Sequence, residues 1–296
     1  MNGTVQLPIR DTIRSVYAFL WENRNDLFRM IAAPVLVLSI FGAVVAAVTP
    51  ELPAPAEAPT TQADAPEIRQ IRINPSAMVL FAASMMFYVM FAVAWHRRFL
   101  QSAEQPTIWS ALRWDARKTR FLVRSLMISL ILVAVALPAV IILSIIGGTV
   151  AGVSAVSGAD QKAVPGLVVL LGTLALAGLV LMVNCRVSLW LPATAVDDKL
   201  TLLETWAIGQ GNTWQLAAIF ILCIAPCVLF FMIIDAIVQA VAIGSGMGDT
   251  LTFQLVGALA RNFANYIFIA AGVSALSICY RQLRHPPTNP GMPYYM

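Results

Sequence analysis

The sequence predicts an all-α polytopic membrane protein: six transmembrane helices arranged as three hairpin repeats, each preceded by a short amphipathic interfacial helix. Three observations predict it. The 296 residues are 59% apolar and 11% charged, where a soluble domain averages roughly 25% charged, and the mean hydropathy is +0.79. The apolar residues lie in long blocks without the period-2 alternation of a barrel strand, and helices are the other structure that satisfies every backbone polar group in lipid. Related residues also return at a fixed interval along the chain. This composition excludes an ordinary water-soluble enzyme, and equally a disordered or fibrous chain.

A helix needs about 20 apolar residues to cross roughly 30 Å of hydrocarbon. Segments near 28–48, 76–96, 122–146, 165–187, 215–241 and 253–279 meet that length, and 1–296 reads as a single integral membrane domain. Met1 to Leu27 carries charges throughout and has no apolar core before a cleavage site, so the first span is expected to serve as the targeting signal. Of nineteen Lys and Arg, fifteen fall on the side of the spans that carries the termini, three on the other, and Arg261 inside a span. By the positive-inside rule both termini, including a tail at 286–296, belong in the cytoplasm. The outer-face loop 49–75 is rich in Pro, Ala, Glu and Thr and reads as an extended connector, or as a docking segment for an outer partner. Cys185, Cys223, Cys227 and Cys279 lie within or at the ends of apolar segments, so no disulfide is expected.

The repeat has a spacing of 93 residues: Trp21 with Trp114, Arg24 with Arg117, and Phe28 with Phe121. A fainter third copy, Glu204-Thr-Trp206 and Gly211-Asn-Thr-Trp214, precedes the fifth span, which gives units of about 8–100, 101–190 and 195–285. Each unit opens on a short helix expected at the membrane interface, or else tucked into a cytoplasmic cap. In the first, Ile13, Val16, Tyr17 and Leu20 form the apolar stripe, Arg14, Ser15 and Glu22 face away, and Asp11 is the expected N-cap. The second stripe is Ile108, Trp109, Leu112 and Ala116; the third is Leu203, Trp206 and Ala207, with Asp197 or Asp198 near its start.

The stretch Arg186-Val-Ser-Leu-Trp-Leu-Pro-Ala-Thr-Ala-Val-Asp197, then Leu203-Glu-Thr-Trp206, together with Ala94-Trp-His-Arg97 at the end of the second span, resembles uncharacterised six-span bacterial inner-membrane proteins. More distantly it is similar to the membrane domain that precedes some glycerophosphodiester phosphodiesterases. The resemblance implies the six-span layout and a bacterial plasma membrane. It implies no activity, because the catalytic phosphodiesterase domain has no counterpart in these residues.

Candidate sites are few. Asp235 and Arg261 stand 13 residues before and after Gly248 in the turn between the last two spans, so equal spacing places them at equal depth, and an intramembrane ion pair is expected. The alternative starts the sixth span at Asn262 and leaves Arg261 at the outer interface. Asn184, Asn262 and Asn265 are polar membrane residues suited to hydrogen bonds between helices or to lining a cavity. Arg97, Arg98, Arg113, Arg117, Lys118, Arg120, Arg124, Arg186 and Arg281 form a basic face for lipid headgroups. Pro138 and Pro226 interrupt two spans, and Gly148 with Gly152, or Ala175 with Gly178, suit close helix approach. His96 and His285 lack the partners of a base or a zinc ligand. Cys223 with Cys227, and Asp197 with Asp198 and Glu204, fall short of a metal site. No catalytic residue, metal or cofactor is expected, and no nucleic-acid partner, since no groove-reading module presents the charges.

The expected function is therefore that of a non-catalytic inner-membrane protein organising anionic lipids or an unidentified protein partner. The alternative is a small transporter or channel whose polar path runs along Asn184, Asp235, Arg261, Asn262 and Asn265. The two differ in whether those side chains meet at one cavity.

Overall fold

The computed structural model describes residues 6–48, 75–101, 111–157, 163–246, 248 and 250–284. The outer-face loop, most of the second short helix with Ile108 and Trp109, His285 and the tail lie outside them. The six apolar blocks become long helices: α2 (Arg24–Val48), α3 (Pro75–Leu100), α4 (Ala116–Ser157), α5 (Ala163–Val187), α8 (Thr213–Ser245) and α9 (Leu251–Arg284). Each is long and apolar enough to cross a membrane. Three shorter helices accompany them, α1 (Ile9–Glu22), α6 (Trp190–Ala195) and α7 (Leu202–Ile208). No strand occurs among the described residues, as the all-α prediction requires.

Consecutive long helices pair as α2 with α3, α4 with α5, and α8 with α9, and the bundle is assembled around α9, which also packs on α1, α2, α3 and α6. α9 carries small residues where neighbours approach: Ala264, Ala270, Ala271, Ser274, Ala275 and Ser277 are buried along its length. The hairpin of α4 and α5 is peripheral, with Leu130, Ile145, Leu170 and Leu174 exposed. Its own two helices close tightly at Gly147, where a Cβ would stand 3.0 Å from Val169, and at Gly172, where a Cβ would collide with Leu143. Gly148 and Gly178 face open space, and the close approach falls one residue before Gly148 and three before Ala175.

The short helices differ from one another. α1 turns its expected stripe inward, with Val16 buried and Ile13 and Leu20 packed beside it, and it also buries Thr12 and Ser15 where the helix seats against α8 and α9. Thr12 Oγ1 donates to Gln282 Oε1 at 3.1 Å and Tyr17 Oη to Cys223 O at 2.8 Å, so polar atoms do part of the docking. Ser15, expected to face away, sits inward and donates to Asp11 O at 2.6 Å, while Pro8 rather than Asp11 occupies the N-cap. α7 keeps its expected stripe outward, with Leu203, Trp206 and Ala207 exposed. Its start is a capping box of Thr201 and Glu204 and not Asp197 or Asp198. Proline interrupts α2 at Pro34 as well as α4 at Pro138 and α8 at Pro226. At Pro226 the bond due to Leu222 O is lost, and the Tyr17 hydroxyl reaches the adjacent Cys223 O.

Candidate functional site

Polar side chains gather mostly at the end of the bundle that carries the termini. The element that organises them there is α6, which the Trp190 to Ala195 motif forms, and all six of its residues are buried. Trp190 Nε1 donates to Leu200 O at 2.7 Å, pinning the segment beyond the helix back onto it. α6 ends in a left-handed turn: Asp197 N–H bonds to Thr194 O at 3.2 Å and Asp198 N–H to Ala193 O at 2.9 Å, with Asp197 at φ 61°. Glycine ordinarily takes that position. Aspartate is among the few other residues that tolerate it, at a cost of roughly 1–2 kcal/mol.

What the aspartate contributes is charge. Arg117 approaches Asp197 Oδ2 at 2.6 Å, Arg120 approaches Oδ1 at 2.9 Å, and Arg97 lies 3.9 Å away, so one carboxylate joins α3, α4 and α6. Partial burial raises this carboxyl, but the hydrogen bond from Arg117 and the charges of Arg117, Arg120 and Arg97 outweigh it and hold the group below the ordinary aspartate range. Asp198 accepts from Tyr280 Oη at 2.5 Å and from Arg284 at 3.4 Å, which joins the same turn to α9. Arg124 donates to Thr194 Oγ1 at 2.6 Å and lies 4.5 Å from the Trp190 ring centre.

The nine basic residues read as a headgroup face therefore divide. Arg97, Arg117 and Arg120 meet at Asp197; Arg98 pairs with Asp26 at 3.1 Å; Arg186 donates to Thr213 Oγ1 at 2.7 Å and stacks 4.7 Å from Trp206; Arg281 lies 4.4 Å from Phe99. Lys118 is not on a face at all. It is buried, and its Nζ donates to Ala111 O at 2.8 Å and to Arg113 O, closing the turn ahead of α4. Arg113 and Arg120 are the fully exposed members of the set. For Arg97, Arg98, Arg124 and Arg281 the acidic or aromatic partner lies far along the chain; Arg117 has Asp115 at 3.9 Å as well as the distant Asp197, and Lys118 is held by local carbonyls.

Beneath this layer α3 is zipped to α9. Trp95 Nε1 donates to Ser274 Oγ at 2.8 Å, and His96 Nδ1 stands 2.7 Å from Ser277 Oγ. Ser277 gives its proton to Val273 O, so the His96 ring donates from Nδ1 and its buried Nε2 has no partner. His96 is thus a packed core residue rather than a base facing a substrate.

Towards the other end, Arg261 Nε meets Asp235 Oδ1 at 2.7 Å. α9 runs unbroken from Leu251 through Arg261, so Leu251 to Ala260 continue the helix of the last span and do not form a separate surface helix. Asn262 donates to Ser39 Oγ at 3.0 Å, tying α9 to α2. Arg261 and Asn262 line a cavity of about 390 Å³ between α2, α3 and α9. Asn184 lines a different cavity, of about 410 Å³, between α3, α4, α5, α8 and α9. Asn265 is exposed and lines neither. The polar residues proposed for one path are thus distributed between two cavities and the surface.

Among the described residues no group of three or more His, Cys, Asp or Glu is placed to hold a metal ion, and all four cysteines are buried free thiols. No family model, curated protein or solved structure matches the chain.

Proposed function

We propose that this is a non-catalytic protein of a bacterial plasma membrane, with both termini in the cytoplasm, that gathers anionic lipid headgroups around its terminal end. One observation carries the reading. All six described tryptophans stand at that end: Trp95 and Trp190 are buried, while Trp21, Trp114, Trp206 and Trp214 are exposed around the rim. Tryptophan collects at headgroup depth because its ring is apolar and its N–H is wet. Arginine stands beside two of the exposed rings, with Arg24 5.0 Å from Trp21 and Arg186 4.7 Å from Trp206, and Arg10, Arg14, Arg29, Arg113 and Arg120 add exposed positive charge. Near anionic lipid each such charge contributes about 1 kcal/mol. The one-sided excess of Lys and Arg supports the same orientation.

A transport path has less support, because Asn184 opens on one cavity, Arg261 and Asn262 on another, and Asn265 on neither. The resemblance to six-span inner-membrane proteins belongs with the proposed location.

The test is reconstitution of the full chain into nanodiscs of mixed phosphatidylglycerol and phosphatidylcholine, followed by quantification of retained lipid. Phosphatidylglycerol should be enriched over the input ratio. The enrichment should fall in a variant carrying Arg24→Gln, Arg113→Gln and Arg120→Gln. Lipid retained at the input ratio by the unaltered chain would overturn the reading.

A further inference from the structure

The cavity between α3, α4, α5, α8 and α9 has a polar wall towards the terminal end, where Leu191, Phe220 and Leu276 line it as well, and a wholly apolar lining deeper in the bundle. The polar wall comes from the beginning of α4, through Ser125 and Ser129, and from the end of α5, through Asn184 and the following Ser188, with Tyr88 of α3 beside them. These positions lie towards the terminal end. Deeper in the bundle the lining is Leu132, Ile224, Phe268 and Ile269.

Hydrogen bonding on the polar wall is incomplete. Ser188 Oγ donates to Asn184 Oδ1 at 2.8 Å, and no hydrogen bond within the described protein uses the Asn184 amide N–H groups. Ser129 donates to Ser125 O at 3.0 Å, while Ser125 Oγ is buried with no partner. Asn184 is half-buried, so Ser125 Oγ is the one fully buried atom of this wall that lacks a partner, and such atoms are rarely left so unless water or a ligand completes them. No charged side chain lines the cavity: Arg124, adjacent to Ser125, is turned to Thr194 and Trp190. An anionic head would lose its water here with no cation to receive it. The volume of about 410 Å³ is low in the range of about 300–1,000 Å³ for small-molecule sites.

We propose that this cavity binds an uncharged single-chain amphiphile of the monoacylglycerol class, its hydroxyl-bearing head on Ser125 and Asn184 and its chain along Leu132, Ile224, Phe268 and Ile269. The orientation follows the membrane, since the polar wall is nearer the headgroup layer at the terminal end and the apolar wall nearer the midplane. This inference does not rest on the headgroup proposal: that site is cationic and selective for anions, and this one lies between the helices, is uncharged and is selective against them.

The experiment is native mass spectrometry of the full chain released from detergent micelles, with monoolein and, separately, oleate as probes. Monoolein should bind at one per chain, and oleate should bind about tenfold or more weakly, because the lining offers no counter-charge. Ser125→Ala with Asn184→Ala should weaken monoolein by about fivefold to thirtyfold, the cost of two hydrogen bonds. Ile224→Trp should displace it by filling the apolar wall; if that variant does not fold, the polar pair decides alone. Oleate binding as tightly as monoolein, monoolein binding equally to the polar double variant, or the absence of a monoolein adduct would each overturn the inference.

Discussion

The half of the bundle that carries the termini and the half that carries the turn between α8 and α9 use the same long helices and reach stability by different means. In the terminal half, α9 is buried continuously from Val273 to Tyr280, and Trp95, Phe121 and Leu189 of other segments are fully buried as well. In the other half, Leu137, Ile145, Leu170, Leu229, Met232 and Ile243 are exposed. In water such a surface would be untenable. In lipid it is neutral, because a leucine facing acyl chains gains little by facing another leucine. The difference shows where the chain has to be specific: the polar bonds that join non-consecutive helices are concentrated where the protein meets the headgroup layer, and the remainder only has to match its solvent.

The largest effect is expected in the terminal half. Trp95→Ala empties a fully buried site and strands Ser274, so it should cost about 3–5 kcal/mol, read as a large fall in the thermal midpoint in detergent. A loss below about 1 kcal/mol would mean that the terminal half is not the stabilising one. Next in size is the pair of Asp235 and Arg261, the one charged contact described in the other half. A cycle of Asp235→Asn, Arg261→Gln and the double variant should show coupling of about 0.5–3 kcal/mol, the double costing less than the sum of the singles. Additive losses would remove the pair from the account.

Asp197 sharpens the comparison through pH. Its folded carboxyl is held below the ordinary range, so the stabilisation it gives is fully present above the unfolded value of about 3.9 and is lost as pH falls through the folded value. Asp197→Asn tolerates the same left-handed backbone and removes the charge. Thermal midpoints measured between about pH 6 and pH 3 should therefore fall less steeply on the acid side in Asp197→Asn, and identical profiles would sink this assignment. The smallest effect is expected at Leu130→Ala, within about 0.5 kcal/mol in nanodiscs, since a lipid-facing position loses little packing. A cost comparable to Trp95→Ala would show that α4 is covered by another protein rather than by lipid.

Much of the layout was legible in the chain because it depends on local composition. Each of the six apolar blocks became a long helix, and the meeting of Asp235 with Arg261 followed from equal distance to one turn. The terminal junction was not legible, for a reason that has to do with separation. Arg117 and Asp197 are eighty positions apart, Arg98 and Asp26 seventy-two, and no periodicity links them. The basic residues were therefore read as a free face when several have internal partners. Ser15 was misplaced because an amphipathic stripe assumes one apolar neighbour, whereas α1 meets α8 and α9 partly through hydroxyls. Asn262 and Asn265, three apart, could not be told apart by sequence; Ser39 on α2 distinguishes them.

The central position of α9 also bears on biosynthesis. The helix around which the others pack is the one that leaves the ribosome after all of them. Between Val48 at the end of α2 and Leu251 at the start of α9, translation at about 5–20 residues per second takes roughly 10–40 s. From the moment each is made until α9 follows, Ser39 lacks Asn262, Trp95 lacks Ser274, His96 lacks Ser277 and Thr12 lacks Gln282. The early hairpins must wait in the bilayer with these groups uncovered, which makes the nascent chain, rather than the finished bundle, the form most exposed to membrane proteases and insertion chaperones.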